Sequence, residues 1–170
     1  HALNEPGNAL RNPNAEQVLL QQGQQIDGTS VGNLVDIAWM QNGGEREAGA
    51  LAILDRDGLL IEHDPTWTQI EHQTLGGTDQ WRAPSSFRIY DGNLYVLDPL
   101  ANQVFKYESG SFGGSPGRWL VDEETDLSTA IDLGIDGNIY LLHNTGQLVK
   151  YYGGEPTPFT VTRVPRPLSS

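Results

Sequence analysis

The chain has no cysteine among its 170 residues, which removes disulfides, thiolate metal sites and cysteine nucleophiles together. Lysine occurs only as Lys106 and Lys150, and no lysine/arginine cluster exists that could dock on an anionic membrane surface. The formal net charge of -12 argues against a nucleic-acid partner, because nothing would neutralise phosphates. No apolar run approaches the ~20 residues that a membrane-crossing helix needs, so direct membrane insertion is not expected. No signal peptide is visible. Since the chain starts at His1, it is expected to be a processed product or a piece of something longer.

What is present is an ordinary globular composition, 37% hydrophobic, with enough length for one well-filled core. The acidic balance mostly serves solubility and leaves a cationic partner or a metal ion as the compatible chemistry.

The informative feature is repetition. The stretch "DGNLYVLDPLANQVFKY" from Asp91 returns as "DGNIYLLHNTGQLVKYY" from Asp136, and a weaker copy, "GALAILDRDGLLIEHD", runs from Gly49 to Asp64. The copies agree at Tyr95/Tyr140, Leu97/Leu142, Lys106/Lys150 and Tyr107/Tyr151. Internal periods of this size signal repeat architectures. Each copy reads as strand, turn, strand, and the Asp-Gly-Asn ahead of two of them suits a tight turn because those residues tolerate positive φ. A strand precedes each copy ("LVDIAWM" 34–40, "SSFRIY" 85–90, "TAIDLGI" 129–135). A fourth follows each ("TQIEHQTL" 68–75, "RWLVDE" 118–123, "FTVTRV" 159–164).

Four antiparallel strands per unit in ~40–50 residues describe the blades of an all-β propeller. A β-sandwich is the rival, but it does not require the sequence itself to repeat. The expected organisation is an N-terminal extension over 1–30, three blades over 31–165 (about 31–80, 81–126 and 127–165), and a tail over 166–170. Within the extension, "EQVLLQQGQQI" (16–26) reads as a short helix or irregular segment, or as the outer strand of a preceding blade.

The quoted hairpins resemble blades of the NHL and SMP-30-like propellers, which include extracellular sensor propellers attached to bacterial Ser/Thr kinases and phosphatases. The resemblance spans roughly residues 31–165 and implies a ring that usually has six blades, an extracytoplasmic setting and no particular ligand. Three blades alone leave two blade faces open. A protein partner or a second copy completing the ring is therefore expected. No cofactor is expected. The SMP-30-like lactonases hold calcium through acidic and Asn ligands in the channel. Here Asn33, Asp36 and Asp132 occupy such positions without a glutamate, so the resemblance carries no metal ligands across.

Candidate sites follow from this frame. Asp36, Arg88 and Asp132 sit at matching positions of the three innermost strands between apolar neighbours, and buried charges must be paired. An ion-pair network linking the blades is expected there, with a ligand-binding channel lining as the alternative. The loop face would present Asp79, Trp81 and Arg82 from one linker and Glu123, Glu124 and Asp126 from the next. The inner hairpins would add Asp55, Asp57, Asp98 and His143. Together they form an acidic rim with an aromatic group, suited to a cationic group or, in the bland reading, merely solvated. Trp39 and Trp119 are expected to pack in the interior, and Trp67 and Trp81 to lie in loops, Trp81 being the first candidate for partner contact. "DRDG" (55–58) lacks the alternate oxygen ligands of a calcium loop. "GGSPG" (113–117) cannot be a nucleophile elbow, because Pro116 has no N–H for an oxyanion hole.

Three functions are compatible, in this order. The first is a non-catalytic binding module recognising a protein or glycan through the loop face. The second is a structural subunit completing a larger assembly. The third is a metal-dependent hydrolase.

Overall fold

The computed structural model describes residues 18–40, 49–63 and 70–158. Three antiparallel four-stranded sheets are built from consecutive segments. Blade 1 contains β3 (Leu34–Met40), β4 (Ala50–Asp55), β5 (Leu59–His63) and β6 (Ile70–Thr74). Blade 2 contains β7 (Ser86–Tyr90), β8 (Asn93–Asp98), β9 (Gln103–Tyr107) and β10 (Gly117–Arg118). Blade 3 contains β11 (Ala130–Ile135), β12 (Ile139–His143), β13 (Leu148–Tyr152) and β14 (Glu155–Thr157). A small pair, β1 (Gln25–Ile26) with β2 (Thr29–Ser30), precedes them. The innermost strands β3, β7 and β11 are neighbours across blades, with β7 in the middle. This is a partial β-propeller of three blades, not a sandwich. Among the described residues the only helical turn is the 3-10 turn Thr78–Gln80.

Sequence and structure agree on the hairpins. Asp91 and Gly92 both take positive φ, 49° and 75°, as a two-residue turn between twisted strands requires. The outer strands differ from expectation. β10 stops after Arg118 because Gln103 turns inward and takes over the ladder. Its Oε1 accepts from Leu120 N at 2.8 Å while its Nε2 donates to Leu120 O at 3.3 Å. Residues 119–123 thus become linker. The outer strand of blade 3 is Glu155–Thr157, ahead of the expected 159–164, which lies outside the described residues, as does Trp67. Of the N-terminal stretch read as helix, irregular segment or outer strand, the described part, 18–26, is irregular and ends in β1.

Period-two alternation gives each blade two faces. Between blades 1 and 2, Ala52, Leu54 and Leu60 pack on Leu94, Val96, Phe105 and Tyr107, with Leu75 and Trp81 of the linker between them. Between blades 2 and 3, Tyr95, Leu97 and Val104 pack on Ile139, Leu141 and Tyr151, with Leu120 and Leu127 of the next linker. Ile26 and Val31 repeat the linker role against Ile53, Leu59 and Ile61 of blade 1. The segment entering blade 1 therefore docks as the other two linkers do.

Candidate functional site

The innermost strands bring Asp36, Arg88 and Asp132 together. Arg88 Nη1 donates to Asp36 Oδ2 at 3.0 Å and Nη2 to Asp132 Oδ1 at 2.8 Å, so one guanidinium spans three blades. Ser86 Oγ lies 2.9 Å from Asp36 Oδ2 and 3.0 Å from Asp132 Oδ1; its single proton serves one carboxylate at a time. Phe87 N also donates to Asp36 Oδ2 (3.2 Å). The alignment of Arg88 with the two acids is corrected by the register: Ser86 is the residue of β7 that holds the position of Asp36 and Asp132, and Arg88 reaches them from two residues further along the same side.

The linker end of the molecule gathers the loop residues, but they divide into two kinds. Asp55 and Asp98 close the second strands of blades 1 and 2 and are fully buried. Asp55 accepts from Gly32 N at 2.7 Å, Leu59 N at 2.7 Å and Asp57 N at 3.0 Å. Asp98 accepts from Arg82 N at 2.7 Å, Ala83 N at 3.0 Å and Ala101 N at 2.9 Å. Each carboxylate pins the linker that leads into its own blade, replacing water for backbone N–H groups that would otherwise be buried unpaired. His143 holds the equivalent place in blade 3, also buried, with Nδ1 2.9 Å from Thr129 Oγ1. These three were expected on the binding rim and instead are interior staples. The signal in the sequence was the shared Leu-Asp at 54–55 and 97–98, an acid at a strand end opposite a linker.

Trp81 also departs from expectation. It is only 7% exposed and packs edge-on against Tyr107 at 6.4 Å between ring centroids. A linker crossing between two blades must fill the gap there, and the indole does so; it is core and does not reach solvent for a partner. Trp39 is the converse case. Ala38 and Met40 face blade 2, so alternation turns Ile37 and Trp39 the other way, where they are 59% and 57% exposed. Trp119, expected in the interior, packs against Tyr151 between blades 2 and 3.

The exposed remainder of the loop group is Asp57, Asp79, Arg82, Glu123, Glu124 and Asp126. The linker carboxylates are ordered by their own backbone. Asp122 accepts from Thr125 Oγ1 at 2.7 Å and Glu124 N at 2.9 Å, and these bonds hold it below the usual carboxylate range. Ser128 N does the same for Asp126. Asn102 tethers this linker to blade 2, donating to Thr125 O and accepting from Leu127 N. Among the described residues, no group of three or more His, Asp or Glu side chains is placed to hold a metal ion.

The remaining feature is the face of blade 3 turned away from blade 2, an open face in that no further blade packs on it among the described residues. Tyr140, Leu142, Leu148 and Lys150 occupy the positions that Tyr95, Leu97, Val104 and Lys106 hold in blade 2. Even the ammonium-over-ring contact recurs, Lys106 lying 5.9 Å from the Tyr95 ring centre and Lys150 lying 6.0 Å from that of Tyr140. In blade 2 the two aliphatic residues are fully buried, whereas Leu142 is 39% and Leu148 49% exposed. The alternation of the repeat carries this face in the sequence, at positions matched between the two copies.

No protein-family model matches the chain, and no curated protein does either. Solved structures similar to it include an oxidoreductase described as a glucose dehydrogenase from Thermus thermophilus, at 14% identity and a TM-score of 0.45. That similarity covers 75% of this chain, which spans about half of the other's length (46%).

Proposed function

We propose that this chain is a non-catalytic interaction module, a section of a propeller of the NHL and SMP-30-like kind that works joined to further blades. The observation that carries the reading is the open face of blade 3. It repeats, residue for residue, a face that the following blade buries in blade 2. A contiguous apolar face on a folded chain marks a contact surface, and the occupant that fits the repeated pattern is another blade. The exposed acids of the linker end, Asp57, Asp79, Glu123, Glu124 and Asp126 with Arg82 among them, offer a second contact, to a cationic group on a protein or glycan partner. The stapled loops support it, since they hold these side chains without further ordering. A purely structural subunit would use the open blade faces alone.

The reading is tested by thermal unfolding. Leu142→Gln and Leu148→Gln should leave Tm within about 1 °C of the native chain, as surface changes do. Leu97→Ala, at the covered equivalent, should destabilise by about 2–5 kcal/mol. Comparable losses from all three would mean that blade 3's face is filled within the chain, and the reading would fall.

A further inference from the structure

Asp36 in blade 1 and Asp132 in blade 3 hold the inner-strand position that Ser86 holds in blade 2, and Arg88, two residues further along β7, is the cation that both acids share. The two acids share one arginine, so the group keeps an unbalanced negative charge. At Asp132 every hydrogen bond found among the described residues converges on Oδ1, from Arg88 Nη2, Ser86 Oγ and Leu133 N. Asp132 pairs with Leu142 across the ladder, which sets it on the side of the open face.

We infer that the blade covering blade 3 carries an arginine or lysine at the inner-strand position aligned with Arg88, so that Asp132 gains from the next blade the ion pair that Asp36 gains from Arg88. The inference rests on the open face of blade 3 being a blade-docking face. Two arrangements inside the chain support it. At both internal seams an acid meets a base, and both seams carry the same apolar packing beside that pair. A second copy docking its blade 1 would instead set its own Asp36 against Asp132, two carboxylates with no cation between them. Like charges placed together select against a partner, and each copy brings a further net charge of -12. The partner is therefore a propeller blade with an apolar face and a basic inner strand, not an identical chain.

A charge-inverted chain provides the probe. The triple variant Asp36→Arg, Arg88→Asp, Asp132→Arg keeps opposite charges at both internal seams. When paired with the native chain in a ring, it makes both new seams acid against base. Analytical ultracentrifugation of the equimolar mixture should show a one-to-one complex at least about tenfold tighter than either chain's self-association, with the preference shrinking as salt screens it. A native homodimer as tight as the mixed complex would overturn the inference, because a second copy would then take the face regardless of charge. Absence of any mixed complex would overturn it too. If the inverted chain does not fold, Asp36→Asn replaces it, since removing one seam carboxylate should tighten self-association several-fold over native. Equal association of the two would then refute the inference. Destabilisation by Leu142→Gln reports separately on the docking face itself, whatever the mixing shows.

Discussion

Replacing Arg88 by methionine tests how much one guanidinium holds together. The residue reaches carboxylates in the two flanking blades at 3.0 Å and 2.8 Å, and its own side chain is 32% exposed against 26% for Asp36 and 49% for Asp132. Such pairs lie between surface bridges, worth up to about 1 kcal/mol, and buried ones, where breaking the pair costs about 3–5 kcal/mol. About 1 kcal/mol per pair, the upper end of the surface range, suits pairs exposed to this degree. The substitution also leaves two carboxylates that both touch Ser86 Oγ. That geometry keeps them within about 6 Å of each other, where repulsion runs from about 0.7 kcal/mol in water to about 3 kcal/mol near a protein surface. The expected loss is therefore about 3–5 kcal/mol, or a fall in Tm of about 10 °C, read by urea titration and calorimetry at pH 7. A companion variant separates attraction from stranded charge. Arg88→Met combined with Asp36→Asn and Asp132→Asn should be more stable than Arg88→Met alone, because no uncompensated carboxylate remains. A loss under about 0.5 kcal/mol for the single change, or a neutral triple that is the less stable of the two, would refute the network as a blade tie.

Two further tests address charge placement elsewhere. Glu62 and Glu71 face each other across β5 and β6, and burial, then the charge of Glu71, pushes the Glu62 carboxyl above its usual range. This pair opposes folding as pH rises through that raised value, so Glu71→Lys should stabilise the chain by about 0.5 kcal/mol at pH 7, and no gain would refute it. Asp122 and Asp126 are held low by hydrogen bonds within the linker. Their contribution is fully present above the unfolded carboxylate value near about 3.9 and fades as pH falls through the depressed folded values. Amide exchange at Glu124 and Ser128 should accordingly lose protection at acid pH before the blade hairpins do; simultaneous loss would count against the linker bonds.

The blades were readable because a repeated period-two pattern fixes both strand and face, and one misregistered residue would put Leu97 or Leu141 in water. The ion-pair group was readable in part: its three charged residues lie between apolar neighbours, but only Asp36 and Asp132 share a ladder position, which Ser86 fills in blade 2, while Arg88 stands two residues further along. Loop residues carried no such constraint. Nothing in "TDQWRAP" says that the indole of Trp81 turns inward, since a linker's direction is decided by the gap between two sheets that are far apart in sequence. Asp98 misled for a related reason. An acid beside a turn suits solvent, and only the closeness of Arg82 N and Ala83 N, 15 or 16 residues back in the chain, makes it an interior acceptor. Trp39 shows the limit of composition, because its large apolar ring suggests interior packing and yet is 57% exposed.

Among the described residues every sheet is assembled from consecutive strands, and no strand crosses into a neighbouring blade. Each hairpin can thus form from local contacts, which favours fast folding, with stability then accruing through nearest-neighbour coupling as in other tandem arrays. Such a design is modular in evolutionary time as well. A duplicated stretch of linker plus four strands brings both halves of a new junction with it, and removing one leaves the others intact. The weakest link should then be the terminal unit that has only one neighbour, and cooperativity across the array should rise when that unit gains a second.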